Sequence, residues 1–291
     1  VAFLIGADIQ LSKNKAAGSR SSFCERGTAL RDFFLFLYGI NPNEDAVMRN
    51  AVEEDMKKKI LITGAAGNIG NKLVNGLNDR YELTLLDRKK LDDKRFIYAD
   101  LSDYDERWVK YFKGVSRVLH LAANPHTDAI WEELIPNNID AVLNVCEACV
   151  QEKISRLIFA SSCHTMKGYM DCNVPKITTD MPPLPGNHYG ISKVIGERVC
   201  KSYSDRHFLS VTCLRIGWVP REGKNLHALD NPWLRSLWLS TRDLIQVFEK
   251  AIESKAAGFI VLYAMSQNKG MKWDLSATEK ILGYAPRDGL S

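Results

Sequence analysis

The 291-residue sequence predicts an α/β fold, a doubly wound parallel sheet carrying a small C-terminal substrate lobe. Two observations predict it. From Lys57 onward, short apolar runs of strand length alternate with amphipathic helical patterns, the signature of parallel strands covered by helices on both faces. The first of these runs, Ile60-Leu61-Ile62, passes directly into Thr63-Gly64-Ala65-Ala66-Gly67-Asn68-Ile69-Gly70, which reads as strand, glycine turn and helix.

The three glycines have separate tasks. A tight turn needs positive φ, a phosphate must approach bare backbone, and the helix must lie close on its strand. Ile69, Leu73 and Leu77 share one face of the helix that opens at Asn68. The N–H groups at its start have no partner within the helix, so Gly67, Asn68 and Ile69 offer an anion site suited to a pyrophosphate. The next run, Leu83-Thr84-Leu85-Leu86, ends in Asp87, twenty residues after Gly67, where an acid reaches a ribose hydroxyl pair. The glycine spacing differs from the commoner G-x-G-x-x-G. The strand before, the helix after and the acid beyond nevertheless make this a Rossmann-type dinucleotide site. Asp87 favours NAD because a carboxylate repels a 2′-phosphate, although Arg88, Lys89 and Lys90 leave NADP open.

Strands are expected at 59–63, 82–86, 95–99, 116–121, 154–160, 209–215 and 258–263, and helices at 69–79, 135–151, 188–204 and 241–254. Polar residues follow three of the strands: Asp100 after Ala99, Asn124 after Ala123, and Ser161-Ser162 after Ala160. Ligands of open parallel sheets bind at the carboxyl ends of strands, so these residues are expected round one crevice. The expected division is an extension over 1–56, accessory or disordered, a nucleotide-binding domain with the catalytic residues over 57–216, and mainly a substrate lobe over 217–291. Its late strand, 258–263, returns to the sheet. The acids Asp8, Glu25, Asp32, Glu44 and Asp45 and the short apolar start argue against a secretory or transit peptide in the extension.

The net charge of +4 is small and dispersed, which points away from nucleic acid and membrane surfaces. No apolar run approaches the roughly 20 residues of a membrane span. Seven cysteines, an odd number without small-scaffold spacing, indicate a reducing compartment and hence the cytoplasm. Cys146 and Cys149 sit in a helical pattern with no second pair or nearby histidines, so they are expected as small buried side chains, and no metal site is expected.

The chemistry is concentrated in Tyr189-Gly190-Ile191-Ser192-Lys193. On a helix Tyr189 and Lys193 share a face, and a nearby ammonium favours the phenolate of a tyrosine that is otherwise a poor base. Tyr189 is thus a candidate acid/base for a hydroxyl and carbonyl pair, with Ser162 placed to bond the same oxygen. Alone, the Tyr/Lys pair would be an ordinary solvated pair. Together with the glycine turn and Ser162, it makes the chain from Lys57 onward resemble the extended short-chain dehydrogenase/reductase (NAD-dependent epimerase/dehydratase) family.

The resemblance implies an NAD-dependent enzyme acting on a CH–OH group. Gly64, Gly67 and Gly70 match the family's phosphate turn, Asp87 its ribose acid, and Asp100-Leu101 its adenine-side contact. Leu121-Ala122-Ala123 matches the cofactor-lining strand, and Asn138 the supporting asparagine. Ser162, Tyr189 and Lys193 match the catalytic set, with Lys193 also on the nicotinamide ribose, and Ile216 falls beside the cofactor. Ala160-Ser161-Ser162-Cys163-His164, Leu214-Arg215-Ile216-Gly217 and the run from Trp238 to Leu244 look most like uronate dehydrogenases and related sugar dehydrogenases. These oxidise an anomeric hydroxyl to a lactone.

The substrate end departs from that pattern. Cys163 replaces an expected asparagine, Trp218 an expected serine, and Trp233 stands near an expected carboxylate-clamping arginine, with Arg235 as its substitute. Asn124, Ser162, Cys163, Trp218 and Arg235 are the candidate substrate contacts, and the substrate is a sugar or sugar acid. Cys163 has no evident base to make it a nucleophile, and His164 and His188 read as packing or loop residues. Trp218, Trp233 and Trp238 are either a sugar-stacking wall or lobe core. The resemblance also implies a homodimer paired through the helices at 135–151 and 188–204. The alternatives are a sugar epimerase, a phosphorylated or neutral aldose dehydrogenase held by Arg221, Lys224 and Arg235, and a non-catalytic NAD(H) sensor. Cys163-His164-Thr165 lacks the carboxylate of a dehydratase, and a sensor has no use for Ser162, Tyr189 and Lys193 together.

Overall fold

The computed structural model describes residues 57–89, 93–221 and 230–291, so the expectations placed on 1–56 lie outside the described residues. Residues Lys57–Ser291 form one compact unit. Seven parallel strands run in the order β3-β2-β1-β4-β5-β6-β7: β1 (Lys59–Thr63), β2 (Glu82–Asp87), β3 (Phe96–Tyr98), β4 (Arg117–His120), β5 (Arg156–Ser162), β6 (Ser210–Ile216) and β7 (Phe259–Ala264). Each expected strand is present within two residues at either end. The order reverses between β1 and β4, which pair with Thr63 opposite His120, and this switch point opens the crevice for a ligand.

The central strands bury both faces, so their side chains read as continuous apolar runs. Ile60 and Ile62 join one core with Leu73 and Leu77 of α1 (Asn68–Leu77) and Leu244, Val247 and Phe248 of α7 (Thr241–Glu253). Leu61 and Phe159 join the opposite core, with Trp108 of α2 (Glu106–Val109), Val142 and Val145 of α4 (Ala141–Gln151), and Cys200 of α5 (His188–Arg206). Cys146 and Cys149 are fully buried there. Beyond β6, α6 (Pro232–Ser236) stands beside the crevice, while α7, β7 and α8 (Ser276–Leu282) belong to the main layers.

The helix expected at 135–151 differs in two ways. It starts earlier, as α3 (Trp131–Leu134), and then widens into a π-helix over Ile135–Asp140 before α4. Pro136 lies in the first turn of the widened segment and has no N–H to give to a regular ladder. The widened turn carries Asn138, which is 1% exposed. No helix among the described residues is long and apolar enough to cross a membrane.

Candidate active site

The crevice of about 1400 Å³ runs from the glycine turn across the carboxyl ends of the strands to Trp218 and Arg221. At its first end Gly64 holds φ +68°, and a Cβ there would lie 2.6 Å from the Ala122 backbone nitrogen. The turn therefore rests directly on the exit of β4. Gly67 precedes α1 with no side chain capping the helix, so the backbone at Gly67, Asn68 and Ile69 lines the crevice as an anion cradle, with Gly70 behind it.

Asp87 ends β2, and its carboxylate accepts from the Ala66 N–H (2.9 Å) and the Lys89 N–H (2.8 Å). The acid is thereby anchored to the same turn. Beyond it, Arg88, Asp100 and Leu101 line the crevice. Burial raises the Asp100 carboxyl, but bonds from Ser102 outweigh burial and leave it below its usual value. Leu121, Ala122 and Ala123 form the floor, and Ile216 the far wall. An uncapped helix start, a glycine turn packed directly on the exit of β4 and a carboxylate at the end of β2 together fit a dinucleotide.

Ser162, Tyr189 and Lys193 meet in the middle of the crevice. Asn187 caps α5, accepting from the Gly190 N–H (2.8 Å), and so sets the start of the helix on which Tyr189 stands. Lys193 is 3% exposed; its Nζ donates to the Ala160 carbonyl (3.0 Å) and lies 5.8 Å from the Tyr189 ring centre. The expectation that Lys193 lowers the tyrosine is corrected in this arrangement. Burial pushes Tyr189 up to about 12, against a hydrogen bond with Ser162 that pulls it down. Burial likewise pulls Lys193 down to about 8, against Cys200, Cys213 and Glu197, which raise it. Both groups resist charge because burial penalises the charged form of each.

That cost has a measurable consequence. An unfolded lysine holds its proton up to about pH 10.5, the folded one only to about 8, so burial of the charge destabilises the fold fully below pH 8. Stability should rise with pH between those values as the folded and unfolded forms both become neutral. A Lys193→Met variant is expected to be more stable than the wild type by about 2 kcal/mol at pH 7, after allowing for the lost hydrogen bond. The advantage should shrink toward pH 10. Denaturant melts across pH check it, and a pH-independent difference would contradict it.

Two sequence candidates are placed otherwise. Asn138 does not line the crevice as a cofactor contact; its Oδ1 accepts from the Asn124 N–H (2.7 Å), and its Nδ2 donates to the Asn124 carbonyl (3.2 Å) and Ser192 Oγ (3.0 Å). It fastens the loop after β4 to α5. Arg235 is exposed on the five-residue α6, its guanidinium donates to the Ser291 carbonyl, and it does not line the crevice. A helix that short turns its third and fourth residues in different directions, and here Leu234 faces the crevice instead.

Asn124 lines the crevice with its side chain engaged by Glu133 and the His126 N–H. Cys163 lines it too, 1% exposed, its thiol donating to the Arg215 carbonyl (3.4 Å), and burial raises its pKa well above normal. Trp218 lines the crevice, whereas Trp233 packs on Trp273 (5.2 Å) in the lobe. Lys224 lies outside the described residues.

Several residues near the site were not among its sequence candidates. His164 borders the crevice edge-on to Tyr189 (5.5 Å), with Nδ1 3.3 Å from Asn187 Nδ2, and burial lowers it to about 4. Thr63 Oγ1 lies 2.7 Å from Nδ1 of the buried His120 beneath the floor. Glu197, four residues after Lys193 and eight after Tyr189, is 4% exposed and ion-paired to Arg215. Its spacing on α5 was the signal available.

The chain belongs to the NAD-dependent epimerase/dehydratase family, whose sequence model matches residues 60–224. Among its relatives are sugar dehydrogenases. L-arabinose 1-dehydrogenase (NAD(P)(+)) of Haloferax volcanii is 33% identical over 79% of this chain and 96% of its own length. Uronate dehydrogenase of Pseudomonas putida is 32% identical over 79% of this chain and 84% of its own. A variant of the Agrobacterium tumefaciens uronate dehydrogenase complexed with NAD superposes with a TM-score of 0.69 at 27% identity, covering 80% of this chain and 85% of that one.

Proposed function

We propose that the protein is an NAD-dependent dehydrogenase that oxidises a ring hydroxyl of a sugar or sugar acid, with Tyr189 as base. The observation that carries this is the convergence of Ser162, Tyr189 and Lys193 in the crevice whose other end is the glycine turn and Asp87. Gly64, Gly67, Asn68 and Ile69 hold the pyrophosphate and Asp87 a ribose. Bound NAD supplies the hydride acceptor. Tyr189 Oη takes the hydroxyl proton as the C–H hydrogen leaves with its electron pair, and Ser162 Oγ holds the oxygen that becomes a carbonyl. The Lys193 ammonium and the positive ring of bound NAD would together have to offset the burial that raises Tyr189.

Arg235 gives no carboxylate clamp, and Arg221, beside Trp218 and Val219 in the crevice wall, is a cation available to an acidic sugar in its place. The homodimer remains part of the proposal, supported by exposed Ile135 and Leu143 on the helical path through α4. So does the cytoplasmic location, supported by buried free thiols.

The test is a panel of free aldoses, uronic acids and aldose phosphates offered with NAD to the purified protein. Net NADH with a free sugar or sugar acid, and a lactone as product, is expected. No NADH from any member, with cofactor retained through purification, would replace the dehydrogenase by an epimerase.

A further inference from the structure

The face of α5 that carries Tyr189 and Lys193 meets three consecutive residues of β5. Lys193 Nζ donates to the Ala160 carbonyl (3.0 Å), Glu197 Oε1 accepts from Ser161 Oγ (2.6 Å), and Tyr189 stands beside Ser162 in the crevice. Gly196 lets the helix come this close, because a Cβ there would meet the Phe159 ring at 2.7 Å. Two of the three contacts belong to the catalytic set. The middle one joins Ser161, which lines the crevice, to Glu197, which does not, and it is the one reinforced by a second strand.

Glu197 accepts from Arg215 through both oxygens, Nε to Oε1 and Nη2 to Oε2, each at 2.9 Å. Arg215 stands opposite Ser161 in the β5–β6 pairing, so one carboxylate clasps neighbouring positions of two strands. The two side chains are 5% and 3% exposed. A buried ion pair is poor value as a source of stability, since well-packed apolar side chains of similar size commonly do as well or better. What it supplies is geometry: a bidentate pair fixes distance and rotation together.

We propose that Glu197, held by Arg215, is a positioning residue that acts through Ser161 to fix Ser162 against Tyr189 and Lys193. Ser161 and Ser162 are adjacent, so a bond that pins the Ser161 side chain to α5 fixes the backbone from which the Ser162 side chain leaves, while the Ser162 hydroxyl itself accepts from the His164 N–H (3.2 Å). The inference rests on the acid/base role proposed for Tyr189. Misplacement of a catalytic group by about 1 Å can cost on the order of a hundredfold in rate.

Ser161→Ala removes one bond and leaves the ion pair whole. It is expected to lower kcat about tenfold with KM for sugar and for NAD within about twofold of wild type, and Ser161→Thr, which keeps the hydroxyl, should restore most of kcat. The double variant Glu197→Met/Arg215→Met removes the clasp without stranding a charge and should lose about a hundredfold in kcat at near-normal thermal midpoint. In that background Ser161→Ala should change kcat by less than about twofold, because its partner has gone. The proposal is overturned by a Ser161→Ala kcat within about twofold of wild type, by a loss confined to KM, or by a Ser161→Ala effect that persists undiminished in the double variant. If the double variant does not fold, the Ala and Thr variants at 161 decide alone. An active Tyr189→Phe would defeat the underlying acid/base assignment instead, so the two failures are told apart.

Discussion

A Tyr189→Phe variant is expected to lose about a thousandfold in kcat for sugar oxidation while its affinity for NAD stays within about twofold of wild type. The substitution removes one oxygen from the middle of the crevice. The ring keeps its edge-on contact with His164 at 5.5 Å, and the glycine turn and Asp87 at the other end are untouched. What disappears is the phenol that stands beside Ser162 in the crevice. In the free protein that phenol is held up at about 12 by burial. It becomes a usable base at neutral pH only when the nicotinamide ring of bound NAD adds its positive charge to that of Lys193, which alone does not lower it. The rising limb of the kcat profile with pH should therefore vanish along with the rate. His164 is the rival base: it is neutral at pH 7, but burial lowers it to about 4, which makes it a weak proton acceptor. Full activity of Tyr189→Phe would move the role to His164 and sink the assignment.

The strands were legible because a parallel sheet buried on both faces must be written in continuous apolar runs, and Ile60-Leu61-Ile62 is 0% exposed throughout. The site was legible wherever chemistry and spacing are both local: the glycine turn, Asp87, and the four-residue step from Tyr189 to Lys193. It was not legible where the outcome depends on which distant group a side chain meets. Lys193 faces the Ala160 carbonyl, and burial, with no resolved pull from Lys193, raises the phenol. Asn138 turns inward because Pro136 falls in a widened turn, and no periodicity reports that. Arg235 stands on a helix too short for its facing to be read from sequence, and its guanidinium reaches the Ser291 carbonyl. Glu197 carried a spacing signal, but only the β5–β6 register shows that Arg215 and Ser161 stand side by side to receive it.

Gly64→Ala is expected to weaken NAD binding by at least about a hundredfold, and the reason is separable from ordinary glycine strain. A non-glycine residue in the left-handed region costs about 1–3 kcal/mol wherever it occurs. Gly64, at φ +68°, would incur that cost and a second one, since its Cβ would stand 2.6 Å from the Ala122 nitrogen and 2.9 Å from the Leu121 carbonyl carbon. These are backbone atoms fixed by β4, with the Ala122 N–H bonded to Thr63 Oγ1 at 3.3 Å and the Leu121 N–H to the Thr63 carbonyl at 3.2 Å. The overlap can be relieved only by lifting the turn off the strand exit, and the turn is the proposed pyrophosphate cradle. Gly114 supplies the control. It has φ +74° on the surface, and a Cβ there would meet nothing within 4 Å. Gly114→Ala should therefore lower stability by about 1 kcal/mol and leave NAD affinity unchanged. Calorimetric titration with NAD beside thermal melts of both variants decides the matter. Equal stability losses with normal NAD affinity in both would mean that the close approach of Gly64 to Ala122 has no part in holding the cofactor.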